Sequence, residues 1–197
     1  MPVKEKTNAL STHEVINQVP VLENYNLYEV DPLLKELPLP DDARQRLCDF
    51  GARLGSSEYI RAGVLANEYP PVLSTHDRYG QRADTVEFHP AYHQMFSAGM
   101  GFGVHCLPWT TDEPSAESHL ERAAGHYMLS QIEAGVGCPL TMTFAGVPAL
   151  QRYAPEEIKS VWIPKLTAKV YDHRFLPVEQ KTGATMGMAM TEKQGGS

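Results

Sequence analysis

The chain is short of the features that would place it quickly. It has three cysteines, Cys48, Cys106 and Cys138, far apart and without any C-x-x-C pair. That excludes a disulfide framework and a zinc ribbon, and it suits a reduced, intracellular protein. Basic runs are missing too: 17 basic residues face 24 acidic ones, for a net charge of −7. Such a balance gains nothing from phosphate backbones, so these residues are a poor nucleic-acid surface. No long apolar run occurs. The longest, "VGCPLTMTFAGVPAL", spans about 15 residues and carries Thr and Pro. A membrane-spanning helix needs roughly 20. The opening "MPVKEKTNAL" has no apolar centre and does not read as a secretory signal. Walker A and G-x-S-x-G motifs are also absent. The expectation is a soluble, cytoplasmic protein, and 197 residues with 42% hydrophobic content suffice for one domain with a real core.

What is present reads as mostly helical. Residues 1–40 look like an extended arm with short turns, docked by Val21, Leu22, Tyr25, Leu27 and Tyr28. Pro40-Asp41-Asp42 is a helix start, with acids where the helix dipole favours them. Ala43, Leu47, Phe50 and Leu54 then recur at three- and four-residue steps, and Gly55 is a stop. A second helix is expected over 58–68, and a polar loop over 74–85. Pro90 opens a third helix, which "GMGFG" at 99–103 is expected to break. Pro114 opens the longest. Its apolar stripe comprises Ala116, Leu120, Ala123, Ala124, Tyr127, Met128 and Ile132, and Gly135-Val136-Gly137 ends it. Helices from Pro139 to about Tyr153 and from Pro155 to Trp162 should pair as a hairpin. After residue 166 the composition turns β-like. Thr185 to Met190 reads as one extended strand, whose backbone groups need a neighbouring sheet. The expected organisation is an N-terminal arm (1–40), a helical domain (41–166) and a transition into a β-domain (167–197). On that reading the chain is the N-terminal part of a longer protein.

Several residues invite a chemical reading, each beside a blander one. His89 and His93 in "HPAYH" have metal-ligand spacing on a helix, but no third ligand is evident. Capping and packing around a helix start is the simpler role. His119 and His126 share a face that reads as solvated or half-buried. Cys138 stands near a helix start, where the dipole favours a thiolate; a small buried residue is the plainer account. Glu133 is either a buried functional carboxylate or, as periodicity favours, a surface position. "GMGFGV" lacks the third glycine of a dinucleotide loop and follows a helix. The tail "MAMTEKQGGS" carries more. A strand leads to Thr191, then to Gly195 and Gly196, which permit close backbone approach, and then to Ser197. Such a turn is either an ordinary polar hairpin or a nest for an anionic, carbonyl-rich ligand.

The tail resembles the flavin-binding segment of the acyl-CoA dehydrogenase superfamily, and its wording is similar to the adaptive-response flavoprotein family known as AidB. "FHPAYH", "EAGVGCPLTMTFAGVPAL", "YDHRFLP" and "MGMAMTEKQGGS" follow that family's order and approximate spacing, from about residue 20 to 197. The resemblance implies a mainly α fold: an acyl-CoA dehydrogenase-type helical domain followed by the first strand of a β-barrel. It implies FAD as cofactor, an acyl-CoA-type substrate and a homotetramer. It implies that Thr191 bonds the flavin pyrimidine edge, that Met190 packs beside it, and that Ser197 meets the pyrophosphate across Gly195 and Gly196. The catalytic base is expected beyond Ser197, so no catalytic residue is assigned, and no metal. The family's DNA binding is expected to reside in basic helices outside this chain. Two functions follow: an FAD-dependent dehydrogenase, or a DNA-binding flavoprotein of the alkylation response with little turnover. The isolated 197 residues are expected to be inactive.

Overall fold

Asn26 opens the first helix. Its Oδ1 accepts from the Tyr28 N–H at 3.0 Å and caps a four-residue helix, α1 (Leu27–Val30). Asp31 does the same for α2 (Pro32–Glu36), accepting from Leu33 and Leu34. The expected extended arm therefore contains two short helices. Leu27, Tyr28 and Leu34 are buried, but Val21 and Leu22 are 76% and 72% exposed and anchor nothing. This computed structural model describes residue 12, residues 16–111 and 113–189, and residues 191, 193 and 195.

Helix α3 (Asp41–Leu54) buries Ala43, Leu47, Phe50 and Leu54, the stripe its spacing predicts. Arg44 reaches back from it to the arm and donates to three carbonyls, of Lys35, Leu37 and Leu39, at 2.6, 2.6 and 2.9 Å. That fork satisfies one open C-terminal carbonyl of α2, at Lys35, and two in the turn that follows it. Arg46 joins α3 to a later helix through a two-pronged bond to the buried Glu121, at 2.7 and 2.9 Å. Gly55 ends α3 where the arm crosses it, and a Cβ there would collide with the Tyr25 carbonyl oxygen. Helix α4 (Ser57–Glu68) follows, capped by Ser56.

The expected loop at 74–85 is instead an antiparallel hairpin, β1 (Val72–His76) and β2 (Arg82–Glu87), with Leu73 opposite Val86 and Ser74 opposite Thr85. Asp77 builds its turn, accepting from the Tyr79 and Gln81 N–H groups at 2.8 and 2.9 Å, and Gly80 takes a φ of 79°. Both strands are largely exposed, so no apolar alternation announces them.

Helix α5 (Pro90–Phe102) runs through Gly99 and Gly101 and stops only at Gly103, whose φ is 102°. Gly99 is a packing residue: a Cβ there would lie 2.6 Å from Leu140 and 2.9 Å from Leu129. Helix α6 (Ala116–Ile132) begins with a capping box in which Ser115 and Ser118 bond each other's backbone N–H at 3.2 Å. Its stripe buries Ala124 and Met128 as expected, whereas Tyr127 is 50% exposed and bonds Asp31. Helices α7 (Gly137–Tyr153) and α8 (Glu156–Leu166) pack on each other, each with an internal proline, Pro148 and Pro164.

The fold is mainly helical, with Leu47, Leu54, Met95, Met100, Met128, Leu129 and Leu140 in one core. Residues 185–189 do not form the expected strand; they run extended over the helices without a ladder. A strand's N–H and C=O groups need a paired neighbour; here the Met186 N–H bonds a helix side chain instead, Thr143 Oγ1. No helix among the described residues is long and apolar enough to cross a membrane.

Candidate functional site: the arm from Thr167 to the tail

The segment after α8 is fixed to the helical domain step by step. The Cys106 thiol donates to the Thr167 carbonyl at 3.4 Å, and His105 Nε2 bonds the Ala168 carbonyl at 3.0 Å. A carbonyl only accepts, so Nε2 carries the proton and Nδ1 is the bare nitrogen. His105 is fully buried and Nδ1 has no partner among the described residues. Burial holds its pKa down to about 4, so the ring stays neutral.

Asp172 organises the next turn. It accepts from Arg174 Nε and Nη2 at 2.8 and 2.7 Å, and from the Thr182 N–H and hydroxyl at 2.9 and 3.2 Å. Its carboxylate is 4% exposed, and the Arg174 guanidinium beside it, with the Thr182 N–H, holds it well below the usual carboxylate range. The loop 172–182 is thereby closed into a ring. Lys165 Nζ donates to the Lys181 carbonyl at 2.6 Å, and the Ala184 N–H to the Lys165 carbonyl at 3.0 Å.

Aromatic rings fill the ground between α5 and this loop. Phe88 stacks on Tyr92 at 4.3 Å and Phe96 on Tyr171 at 4.7 Å. His93 Nδ1 lies 2.8 Å from the Tyr171 hydroxyl. Burial, then Tyr92, raises the phenol's pKa; burial, then His173, lowers that of His93. Both groups are therefore neutral, and the hydrogen bond joins an uncharged phenol to an uncharged imidazole. These rings and the β2 edge border an open cleft of about 710 Å³.

The flavin-facing residues expected from the tail fall unevenly. Met190, Gly196 and Ser197 lie outside the described residues. Thr191 and Gly195 are described, and both are exposed. The other candidates resolve plainly. His89 caps α5, its Nδ1 accepting from the Ala91 N–H at 3.1 Å, and it stacks on Tyr69. His93 bonds Tyr171, and no group of three metal-ligating side chains occurs among the described residues. His119 packs edge-on against Trp109. Cys138, expected to be buried, is exposed, although the N-cap Val136 and Gly137 before it are buried: the first turn of α7 turns Cys138 outward. Glu133, expected at the surface, is buried: it accepts from the Gly135 and Val136 N–H groups at 2.7 and 2.8 Å and from Asn67 Nδ2 at 3.4 Å. It closes the α6–α7 turn. Sequence reasoning missed Thr143 and Asp172, which hold the arm; each makes contacts 10 or 43 residues away in the chain that no local pattern encodes.

Residues 17–173 match the family model for the adaptive response protein AidB N-terminal domain. The chain belongs to that family. It is 42% identical over 189 residues to the Escherichia coli (strain K12) protein named "Putative acyl-CoA dehydrogenase AidB", covering 94% of this chain and 35% of that protein. Two solved structures share the fold. "Bd2924 apo-form" superposes with a TM-score of 0.74 at 26% identity, over 88% of this chain and 34% of its own. Caenorhabditis elegans ACDH-11, crystallised in complex with C11-CoA, gives 0.72 at 21% identity, over 99% of this chain and 33% of its own. The chain thus spans about a third of the length of the proteins it matches. It is acyl-CoA dehydrogenase-like in sequence and in fold. The AidB family match takes in α1 to α8 and reaches the His93–Tyr171 pair and the Asp172 turn.

Proposed function

We propose that this chain is the N-terminal part of an FAD-dependent, acyl-CoA dehydrogenase-like oxidoreductase of the AidB type. The supporting observation is the 42% identity to the Escherichia coli protein, which runs through nearly the whole chain. The donor chemistry fits the cofactor. Thr191 presents a hydroxyl and Gly195 a backbone without a Cβ, both at the exposed end of the docked arm. Those groups suit a carbonyl-rich pyrimidine edge and an anionic pyrophosphate. In this reading Thr191 bonds the pyrimidine edge and Met190 packs beside it. Ser197 meets the pyrophosphate, with Gly195 and Gly196 allowing the approach.

FAD, when bound, supplies a hydride acceptor for α,β-dehydrogenation of an acyl thioester. This chain's part is to hold one wall of the site in register and to shield it from water. None of its carboxylates is assigned as base. Glu133 is committed to the α6–α7 turn, and the base is sought outside this chain. The whole protein is proposed to be a cytoplasmic homotetramer. A second reading, a DNA-binding flavoprotein of the alkylation response, is favoured by the family's description as an adaptive response protein. At a net charge of −7 this chain leaves DNA contacts to other parts of the protein.

Anaerobic addition of acyl-CoAs of graded length to the full-length flavoprotein tests the reading. Bleaching of the oxidised flavin band by at least one of them is expected. A flavin indifferent to every acyl-CoA, in a protein that binds duplex DNA tightly, favours the second reading.

A further inference from the structure

Residues 183–189 carry the tail to its proposed flavin-facing position, yet no sheet holds them. Two backbone bonds fix them to helices. The Ala184 N–H meets the Lys165 carbonyl at 3.0 Å, and the Met186 N–H meets Thr143 Oγ1 at 3.0 Å. Those donors are two residues apart, the repeat of an extended chain. Ala184 and Met186 accordingly turn inward, while Thr185 and Gly187 are exposed. A slip of one residue would break both bonds and reverse every side chain.

Thr143 is suited to this task. It is fully buried on α7, and its hydroxyl donates to the Pro139 carbonyl at 2.8 Å while accepting from Met186. The bond to Pro139 fixes the hydroxyl rotor, so the lone pair is aimed before Met186 arrives. One turn along α7, Gly146 leaves room for the Met186 side chain; a Cβ there would collide with Sδ. Thr143 thus sets the height of the segment, and Gly146 its depth. Thr191 lies five residues past Met186, about 17 Å of extended chain at most.

We propose that Thr143, with Gly146 as its seat, is a positioning residue for the flavin-binding tail, fixing the register of Met186 and through it the placement of Thr191. The assignment rests on the reading of the tail as a flavin site.

Four variants of the full-length flavoprotein test it, with FAD affinity and thermal unfolding both measured. Thr143→Val keeps the shape but removes the hydroxyl, and about tenfold weaker FAD binding is expected. Thr143→Ser restores the acceptor and should restore affinity. Gly146→Ala separates positioning from stability. Alanine improves helix propensity, so the unfolding temperature should hold or rise, while displacement of Met186 weakens FAD binding by a similar factor. For Gly146→Ala, a purely structural role would move both quantities in the same direction, which overturns the proposal. Thr191→Val identifies which claim fails. If it weakens FAD binding while Thr143→Val and Gly146→Ala do not, the positioning role alone is wrong. If Thr191→Val has no effect on FAD, both fail.

Discussion

The indole Nε1 of Trp109 donates to the backbone carbonyl of Phe144 at 2.8 Å. Residue 148, four places on, is a proline and has no N–H to offer that carbonyl. The indole therefore supplies the bond that the helix lacks, and its ring also packs on the Phe144 side chain at 5.0 Å. Two sequence features that look unrelated, a tryptophan in the turn before α6 and a proline inside α7, are one device.

Trp109→Phe should cost about 1–3 kcal/mol, the usual result of leaving a half-buried carbonyl without a donor. Pro148→Ala offers that carbonyl an N–H again. The double variant should therefore lose less than the sum of the two single changes. Urea unfolding of all four proteins measures this, and strict additivity would show that the two residues act independently.

Glu133 supports a second stability prediction. Glu133→Ala strips acceptors from the Gly135 and Val136 N–H groups inside a buried turn and should cost about 1–3 kcal/mol. Glu133→Gln keeps one acceptor oxygen and should cost less. Denaturation midpoints of the two variants give the comparison. Equal midpoints for alanine and wild type would return Glu133 to the exposed role that periodicity suggests.

His105 sets a pH dependence. Its pKa falls from 6.5 to about 4 on folding, chiefly through burial. Between those values the unfolded chain takes up a proton that the folded one refuses. Stability from this group is therefore complete above pH 6.5 and is lost as pH falls through about 4. The full swing is on the order of 3 kcal/mol. Replacing the ring with a side chain that does not titrate, as in His105→Asn, should flatten the stability profile over that window. An unchanged slope would mean that the imidazole stays hydrated in the folded protein.

Local signals made the helices legible. Pro40-Asp41-Asp42, Pro90 and Pro114 each announce a start, because helix-start chemistry is written in adjacent residues. The hairpin was not legible, since both of its faces are wet and no alternation marks it. The Gly99–Gly101 pair reads as a break, yet Gly99 is needed where α5 touches Leu129 and Leu140, a contact set by distant residues. Glu133 was misjudged for a similar reason: the helix ends at Ile132, so helical periodicity no longer decides which way residue 133 points. The residues proposed to face the flavin are legible only as a motif. What braces that motif, through Thr143, Gly146 and Asp172, comes from tertiary contacts.

The central claim is that this chain contributes one wall of an FAD site and not the whole of it. Flavin content measures that directly: purify the full-length protein and the 197-residue chain side by side and read the flavin band near about 450 nm after denaturation. The account predicts close to one FAD per full-length protomer and none on the chain alone. A full-length protein that carries no flavin and takes up none when FAD is added would contradict it.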